Sequence, residues 1–310
     1  MTAKQELIRR LTEVVAPQRI LADEPMAKHT TFRIGGPADV MVLPCGEAEL
    51  RAVLEAVEIC GLPCFVMGNG SNLLVSDAGI RGLVIKIDQP MAKVTIDAAF
   101  AYAQAGAGLG YLARRCAQQG LRGLVFACGI PGSVGGAVVM NAGAYGGEIK
   151  DVLHSVTVLS DGCVKEWPAD QLKLGYRTSI FKASKDIILG ARFQLCTDCE
   201  TDISEEMAEL MCQRNEKQPV QLPSAGSTFK RPQEGYASAM IDGAGLKGLS
   251  VGGAQVSAKH AGFIVNTGGA TARDVLSLMR MVQARVKSAY GVQLEPEVKL
   301  VGEGMQGQID

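Results

Sequence analysis

The stretch GIPGSVGGAVVMNAGAYGGE, residues 129–148, holds seven glycines in twenty positions, with Pro131, Asn141 and Tyr145 among them. Glycine permits positive φ and removes the Cβ, so main-chain N–H groups can close on a ligand. Two clusters precede it, HTTFRIGGPAD (29–39) and VMGNGSNLLVSD (66–77). In the second, Gly68-Asn69-Gly70-Ser71-Asn72 follows a predicted strand. Its N–H groups and polar side chains therefore emerge together at a strand end, as in a phosphate nest. Any one cluster reads equally well as a tight turn between packed strands. Three of them in the first 150 residues, each beside a strand, point to an extended phosphorylated ligand, a dinucleotide rather than a mononucleotide. Two familiar nucleotide signatures are missing: no GxGxxG opens a helix after a first strand, and no GxxxxGK[ST] occurs. Gly106-Ala107-Gly108-Leu109-Gly110 comes nearest, with the wrong spacing.

A chain of 310 residues, 47% hydrophobic and 20% charged, is long enough for two domains. A net charge of −1 gives no electrostatic footprint for nucleic acid or an anionic membrane surface. No run reaches the roughly 18 apolar residues of a membrane span. MTAKQELIRRLTEVV predicts an amphipathic helix with Leu7, Leu11 and Val14 or Val15 on one side, without the apolar core of a signal peptide. The expectation is a cytoplasmic monomer with neither nucleic-acid nor membrane partner. Nine scattered cysteines suit free thiols in a reducing compartment. Cys196 and Cys199 form a CxxC pair with no second pair or nearby histidines, so incidental spacing competes with a zinc or redox-thiol reading.

Short strands and helices are mixed along the chain. ADVMVLP, PCFVMG, GLVIKI and DIILGARFQL read as strands, and EAELRAVLEAVEICG as a helix closed by Gly61. YLARRCAQQG reads as a short helix, and HSVTVLSDGCVKEW as a hairpin about Asp161-Gly162. After ISEEMAELMCQRNEKQP, a helix with Ile203, Met207, Leu210 and Met211 on one face, the character changes, which sets a domain boundary near residue 203. TARDVLSLMRMVQARVKSAYG predicts a long final helix, capped by Thr271 with Asp274 reaching back, with Val275, Met279, Val282 and Val286 inward.

Three places could carry chemistry. PSAGSTFKRP puts Ser227 after Gly226, where its hydroxyl would be exposed; read alone it is a turn or cap residue, since only three histidines are present and GxSxG is absent. LEPEVK (294–299) predicts a strand with Glu295 and Glu297 on one face, or two hydrated carboxylates on a solvent face. LGYRTSIF presents Arg177 beside Tyr176 after a helix-like ADQLKL segment; a guanidinium is the natural bidentate partner of a carboxylate or phosphate, although surface arginines are common.

Taken in order, HTTFRIGGPAD, GNGSNLLVSD, the 129–148 stretch, YRTSIF, PSAGSTFKRP, GLKGLSVGGAQVSAKHAGFIVN (245–266) and LEPEVK resemble the UDP-N-acetylenolpyruvoylglucosamine reductase (MurB) family over roughly residues 29–302. The resemblance implies an α+β protein. A flavin-binding domain of the PCMH or vanillyl-alcohol-oxidase type would occupy residues 1–203 with the N-terminal helix, and a smaller α+β substrate-binding domain residues 204–310. It implies noncovalent FAD, held by Val66, Met67, Gly68, Asn69, Gly70, Ser71 and Asn72 from the second cluster and by Gly132, Ser133, Gly135, Gly136, Asn141, Ala142 and Gly143 from the third. None of His29, His154 and His260 lies in those two clusters.

The implied reaction has two halves. NADPH reduces FAD, and the enolpyruvyl ether of UDP-N-acetylglucosamine is then reduced to UDP-N-acetylmuramate, with hydride to vinyl C3 and a proton to C2. Ser227 matches the proton donor, and Arg177 and Glu297 the pair that polarises the substrate carboxylate. A carboxylate facing a carboxylate repels, so Glu297 works best protonated or sharing a proton. Lys217, Lys230 and Arg231 supply cationic candidates for the UDP-sugar or NADPH, and Tyr145 either joins the cleft or packs structurally. The short chain between Arg177 and Ser227, with Arg231 after Lys230, resembles the type II branch that lacks a tyrosine-bearing loop. Two other readings remain: an oxidase of the same fold, and a noncatalytic nucleotide-binding protein.

Overall fold

The computed structural model describes residues 2–305. Seven α-helices occur among them: α1 Ala3–Val14, α2 Glu47–Cys60, α3 Leu109–Ala117, α4 Val134–Met140, α5 Glu200–Lys217, α6 Ala237–Gly243 and α7 Ala272–Tyr290. Expected strands form at Pro37–Val42, Cys64–Met67, Ile80–Lys86 and Ile187–Gln194. In α1, Leu7, Leu11 and the following Val15 are buried, while Val14 is exposed. The ADQLKL segment makes only a 3₁₀ turn, Ala169–Gln171. The glycine stretch contains α4, with Ser133 as N-cap and Asn141 as left-handed C-cap.

By packing, the chain divides into two compact units. One is Met1–Leu21, Met41–Asn69 and Val84–Arg214; the other is Ala22–Val40, Gly70–Leu83 and Asn215–Asp310. These differ from the intervals 1–203 and 204–310, whose ends, Met1 and 306–310, lie outside the described residues. The reason lies in contacts of high sequence separation. Phe32, Ile34 and Leu74, from the first two glycine clusters, are buried in one core with Phe229, Leu294 and Val298.

The first unit is built on a five-stranded antiparallel sheet in the order Cys163–Pro168, Leu153–Ser160, Ile187–Gln194, Phe100–Gln104, Val94–Asp97. Ser160 faces Cys163 across the two-residue turn Asp161-Gly162, both with positive φ (48° and 72°), the turn geometry that matches strand twist. Val156, Val158, Ala191 and Phe193 point inward, and α4 packs against Ile187–Gln194.

The second unit has a four-stranded antiparallel sheet in the order Ser224–Ser227, Phe263–Asn266, Ala254–Val256, Ser250–Val251. Helix α7 packs on it with Val275, Met279, Val282 and Val286 buried. Lys299–Val301 pairs in parallel with Leu73–Val75. The first turn of α7 has no orphan donors: Asp77 accepts from Ala272 N (2.7 Å) and Arg273 N (3.1 Å), Thr271 Oγ from Asp274 N (3.1 Å), and Asp274 from Thr271 N (3.0 Å). Thr271→Ala removes one of these acceptors. It should destabilise the protein by about 1 kcal/mol in a denaturant titration, without changing cofactor content.

Candidate active site

In the first unit, the second and third glycine clusters meet. The strand Cys64–Met67 ends at buried Met67, beside exposed Val66. Immediately after it, a Cβ on Gly68 would overlap Ser133 Oγ. Asn69 Nδ2 donates to Pro131 O (3.4 Å). Ser133, 2% exposed, bridges Gly108 and accepts weakly from Gly136 N (3.4 Å). The bridge uses Leu109 N to Gly132 O (2.9 Å) and Val134 N to Ala107 O (2.8 Å), and Gly135 N donates to Ala105 O (2.9 Å). Gly135 therefore packs its bare Cα against Ala105 and has no N–H to offer a ligand. The N–H groups of Gly68, Asn69, Gly132 and Ser133 are bonded to no protein acceptor among the described residues. They form a set of donors at the junction of two Cβ-poor segments, which fits an anion such as a pyrophosphate.

Further along, Asn141 is fully buried with φ 42°. Its Nδ2 donates to Glu148 Oε2 (2.6 Å) and Gly175 O (3.0 Å), and its Oδ1 accepts from Lys150 N (2.9 Å). Ala142 N is taken by Ala137 O (2.8 Å). Asn141 and Ala142 thus shape the backbone rather than offer donors. Gly143–Ala144 pairs with Gly147–Glu148 about a Tyr145-Gly146 turn. Tyr145 is exposed, and its hydroxyl donates to Leu210 O (3.4 Å). Arg177 sits in the turn Gly175–Thr178 with φ 55° and donates from Nη2 to Gly143 O (3.3 Å), its guanidinium over the Tyr176 ring.

The sequence reading missed Arg214. Its side chain lies against Gly129 at the start of the glycine stretch, and burial near Tyr145 and Cys128 lowers its affinity for its proton. No ion pair to a carboxylate is present for it among the described residues, so it is a partly desolvated cation beside Gly129. Its spacing on α5, seven residues after Met207, was the available signal.

In the second unit, Ser227 ends its strand, exposed, after Gly226 at φ 78°. Its hydroxyl is engaged by no protein group among the described residues. The adjacent Thr228 is buried: its N–H donates to Gly262 O (2.8 Å), its Oγ accepts from Ile264 N (3.0 Å), and its carbonyl accepts from Glu297 N (2.9 Å). This brings the backbones of Ser227 and Glu297 together. Asn72 Nδ2 donates to Glu297 O (3.1 Å), and Lys299 N to Asn72 O (2.9 Å), so the second glycine cluster holds Glu297 from the other side.

The strand expected at LEPEVK is a single bridge, Pro296 to Phe229; proline lacks the N–H to extend a ladder, and the strand begins at Lys299. Exposed Glu295 binds Lys230 Nζ (2.8 Å), which holds its carboxyl below the usual range, whereas Glu297 is half-buried. Arg231 lies 4.1 Å over the Tyr236 ring, and Lys217 is exposed at the end of α5. Gly70 accepts from Thr31 N (3.3 Å), and Ser71 lies between it and Asn72. Arg177 belongs to the first unit, and Ser227 and Glu297 to the second.

No histidine serves Ser227 as a base. His260 accepts Gly262 N–H at Nδ1 (3.1 Å) and burial lowers its pKa, His29 pairs with Glu24, and His154 packs edge-on to Phe100. Cys196 and Cys199 are exposed free thiols, and no group of three metal-ligating side chains occurs among the described residues.

A profile described as FAD binding domain matches residues 38–165, and one described as UDP-N-acetylenolpyruvoylglucosamine reductase, C-terminal domain, matches residues 218–301. The UDP-N-acetylenolpyruvoylglucosamine reductase of Agathobacter rectalis is 51% identical, covering 96% of this chain and 99% of its own. The chain belongs to the UDP-N-acetylenolpyruvoylglucosamine reductase family. The enzyme of that name from Syntrophomonas wolfei is 48% identical over 94% of this chain and 98% of its own. The crystal structure of the reductase from Thermus caldophilus matches with a TM-score of 0.78 at 38% identity, over 89% of this chain and 97% of that one. This family member is therefore an α+β FAD-dependent oxidoreductase, with an FAD-binding part followed by the family's C-terminal domain.

Proposed function

We propose that this reductase converts the enolpyruvyl ether of UDP-N-acetylglucosamine to UDP-N-acetylmuramate in peptidoglycan precursor synthesis, with NADPH as electron donor. The observation that carries the reading is the exposed, unengaged Ser227 hydroxyl next to Thr228, whose carbonyl holds Glu297. Noncovalent FAD would be held by Gly68, Asn69, Gly132 and Ser133 through their N–H groups, with Val66, Met67, Gly70, Ser71, Asn72, Gly135, Gly136, Asn141, Ala142 and Gly143 shaping its bed. With FAD in place, the chemistry supplied is two-electron transfer from NADPH to the substrate double bond.

This chain's residues do the rest. As the electron pair arrives at C3, negative charge develops on C2 and spreads into the adjacent carboxylate. Arg177, permanently charged and planar, stabilises that carboxylate with Glu297 as a proton-sharing partner. The Ser227 hydroxyl gives C2 its proton. A donor of such high pKa works because the transient base is strong. Lys217, Lys230, Arg231 and Tyr145 would contact the UDP-sugar or NADPH. The protein would act as a cytoplasmic monomer; no described helix is long and apolar enough to cross a membrane.

Gly68→Ala would force a Cβ into Ser133, which is buried and caps α4. The expected result is about 1–2 kcal/mol lost in apoprotein stability from the disturbed cap, and at least tenfold weaker FAD binding by fluorescence titration, about 1.4 kcal/mol. Product analysis tests the function. Anaerobic incubation with NADPH and the enolpyruvyl sugar in D₂O should yield UDP-N-acetylmuramate carrying one solvent deuterium at C2. NADPH consumption without that product would refute the assignment.

A further inference from the structure

Arg177 occupies a conformation that L side chains seldom adopt, in a turn closed by Gly175 N to Thr178 O (3.1 Å) and Thr178 N to Gly175 O (3.2 Å). A left-handed non-glycine residue persists only where its surroundings over-determine it. Three bonds tie this turn to the glycine stretch: Asn141 Nδ2 to Gly175 O (3.0 Å), Arg177 Nη2 to Gly143 O (3.3 Å) and Ser179 Oγ to Val139 O (2.7 Å). Asn141 is the pivot, because it is buried and bonds at three points.

An amide can be turned either way, and its neighbours decide which way is right. Lys150 N–H requires an acceptor and so takes Oδ1. The two protons of Nδ2 then need two acceptors, and these are Gly175 O and Glu148 Oε2 at 2.6 Å. An ionised carboxylate only accepts, so Glu148 makes the opposite orientation of Asn141 unfavourable. Glu148 is itself fixed by reciprocal capping with Asp151 and by pairing with Gly143, the residue whose carbonyl receives Arg177.

We propose that Glu148 is a positioning residue for the reaction: its carboxylate locks Asn141, and Asn141 locks the turn that presents the Arg177 guanidinium. This rests on the reading that Arg177 grips the substrate carboxylate. Glu148 needs no contact with substrate for this role. A misplacement of about 1 Å in such a group costs on the order of a hundredfold.

The test is a double-mutant cycle on the holoenzyme, following the rate at which the enolpyruvyl sugar reoxidises the NADPH-reduced protein. With FAD saturating, Glu148→Ala should slow that step about 10- to 100-fold, with the rate of reduction by NADPH within about twofold of the parent. Glu148→Gln, which keeps one acceptor oxygen but adds an N–H that tolerates the opposite amide orientation, should recover only part of the rate. In an Arg177→Ala background, Glu148→Ala should add nothing further, because residues acting through one group are not additive. Should Glu148→Ala not fold, Glu148→Asp, which keeps the charge but shortens the reach, takes its place in the cycle. An equal effect of the Glu148 change in both backgrounds, or equal damage to both half-reactions, overturns the positioning role alone. An Arg177→Ala enzyme with an unimpaired sugar half-reaction overturns the reading of Arg177, and the device with it.

Discussion

Ser227→Ala should slow reduction of the enolpyruvyl sugar by about 10²- to 10⁴-fold, the range contributed by a positioned general acid. The substitution is clean on structural grounds. Ser227 is exposed and its hydroxyl is engaged by no described protein group, while the bonds that fix this strand end belong to Thr228. Folding stability and FAD content should therefore match the parent. Reduction by NADPH should also be preserved, since that half-reaction needs no proton at C2. Stopped-flow measurement of the two half-reactions separately checks this. A variant equally slow in both would mean that Ser227 shapes the binding site rather than donating the proton.

Glu297→Gln should cost about 10²- to 10³-fold in the same half-reaction, the size expected for one electrostatic contact to developing charge. Its backbone is held on both sides, N–H to Thr228 O and carbonyl from Asn72 Nδ2, so the isosteric change alters the proton inventory and leaves the placement alone. A variant that keeps the parent's rate would remove Glu297 from the mechanism.

Much of the fold was legible because local physics decides it. Thr271 with Asp274, the Asp161-Gly162 turn and Gly61 are signals whose geometry the residues themselves enforce, and all three appear where expected. The pair Val94–Asp97 and Phe100–Gln104 went unread because its turn at Ala98-Ala99 carries no Gly, Asn or Asp. Helix α4 was hidden by Gly135 and Gly136, poor helix formers, of which Gly135 is required because its bare Cα packs against Ala105. The site was legible in residue type more than in partner. Ser227 and Glu297 were named from their motifs, but their link through Thr228, and that of Glu297 to Asn72, spans long sequence separations. Arg214 was missed for the same reason: its neighbour Gly129 is far away along the chain.

The most direct test of the central claim is an anaerobic visible spectrum of the purified protein, recorded before and after NADPH and again after the enolpyruvyl ether of UDP-N-acetylglucosamine. The account predicts an oxidised flavin spectrum that bleaches with NADPH and returns with the sugar in the absence of oxygen. A bound flavin that bleaches with NADPH but is restored only by oxygen would contradict the proposed substrate.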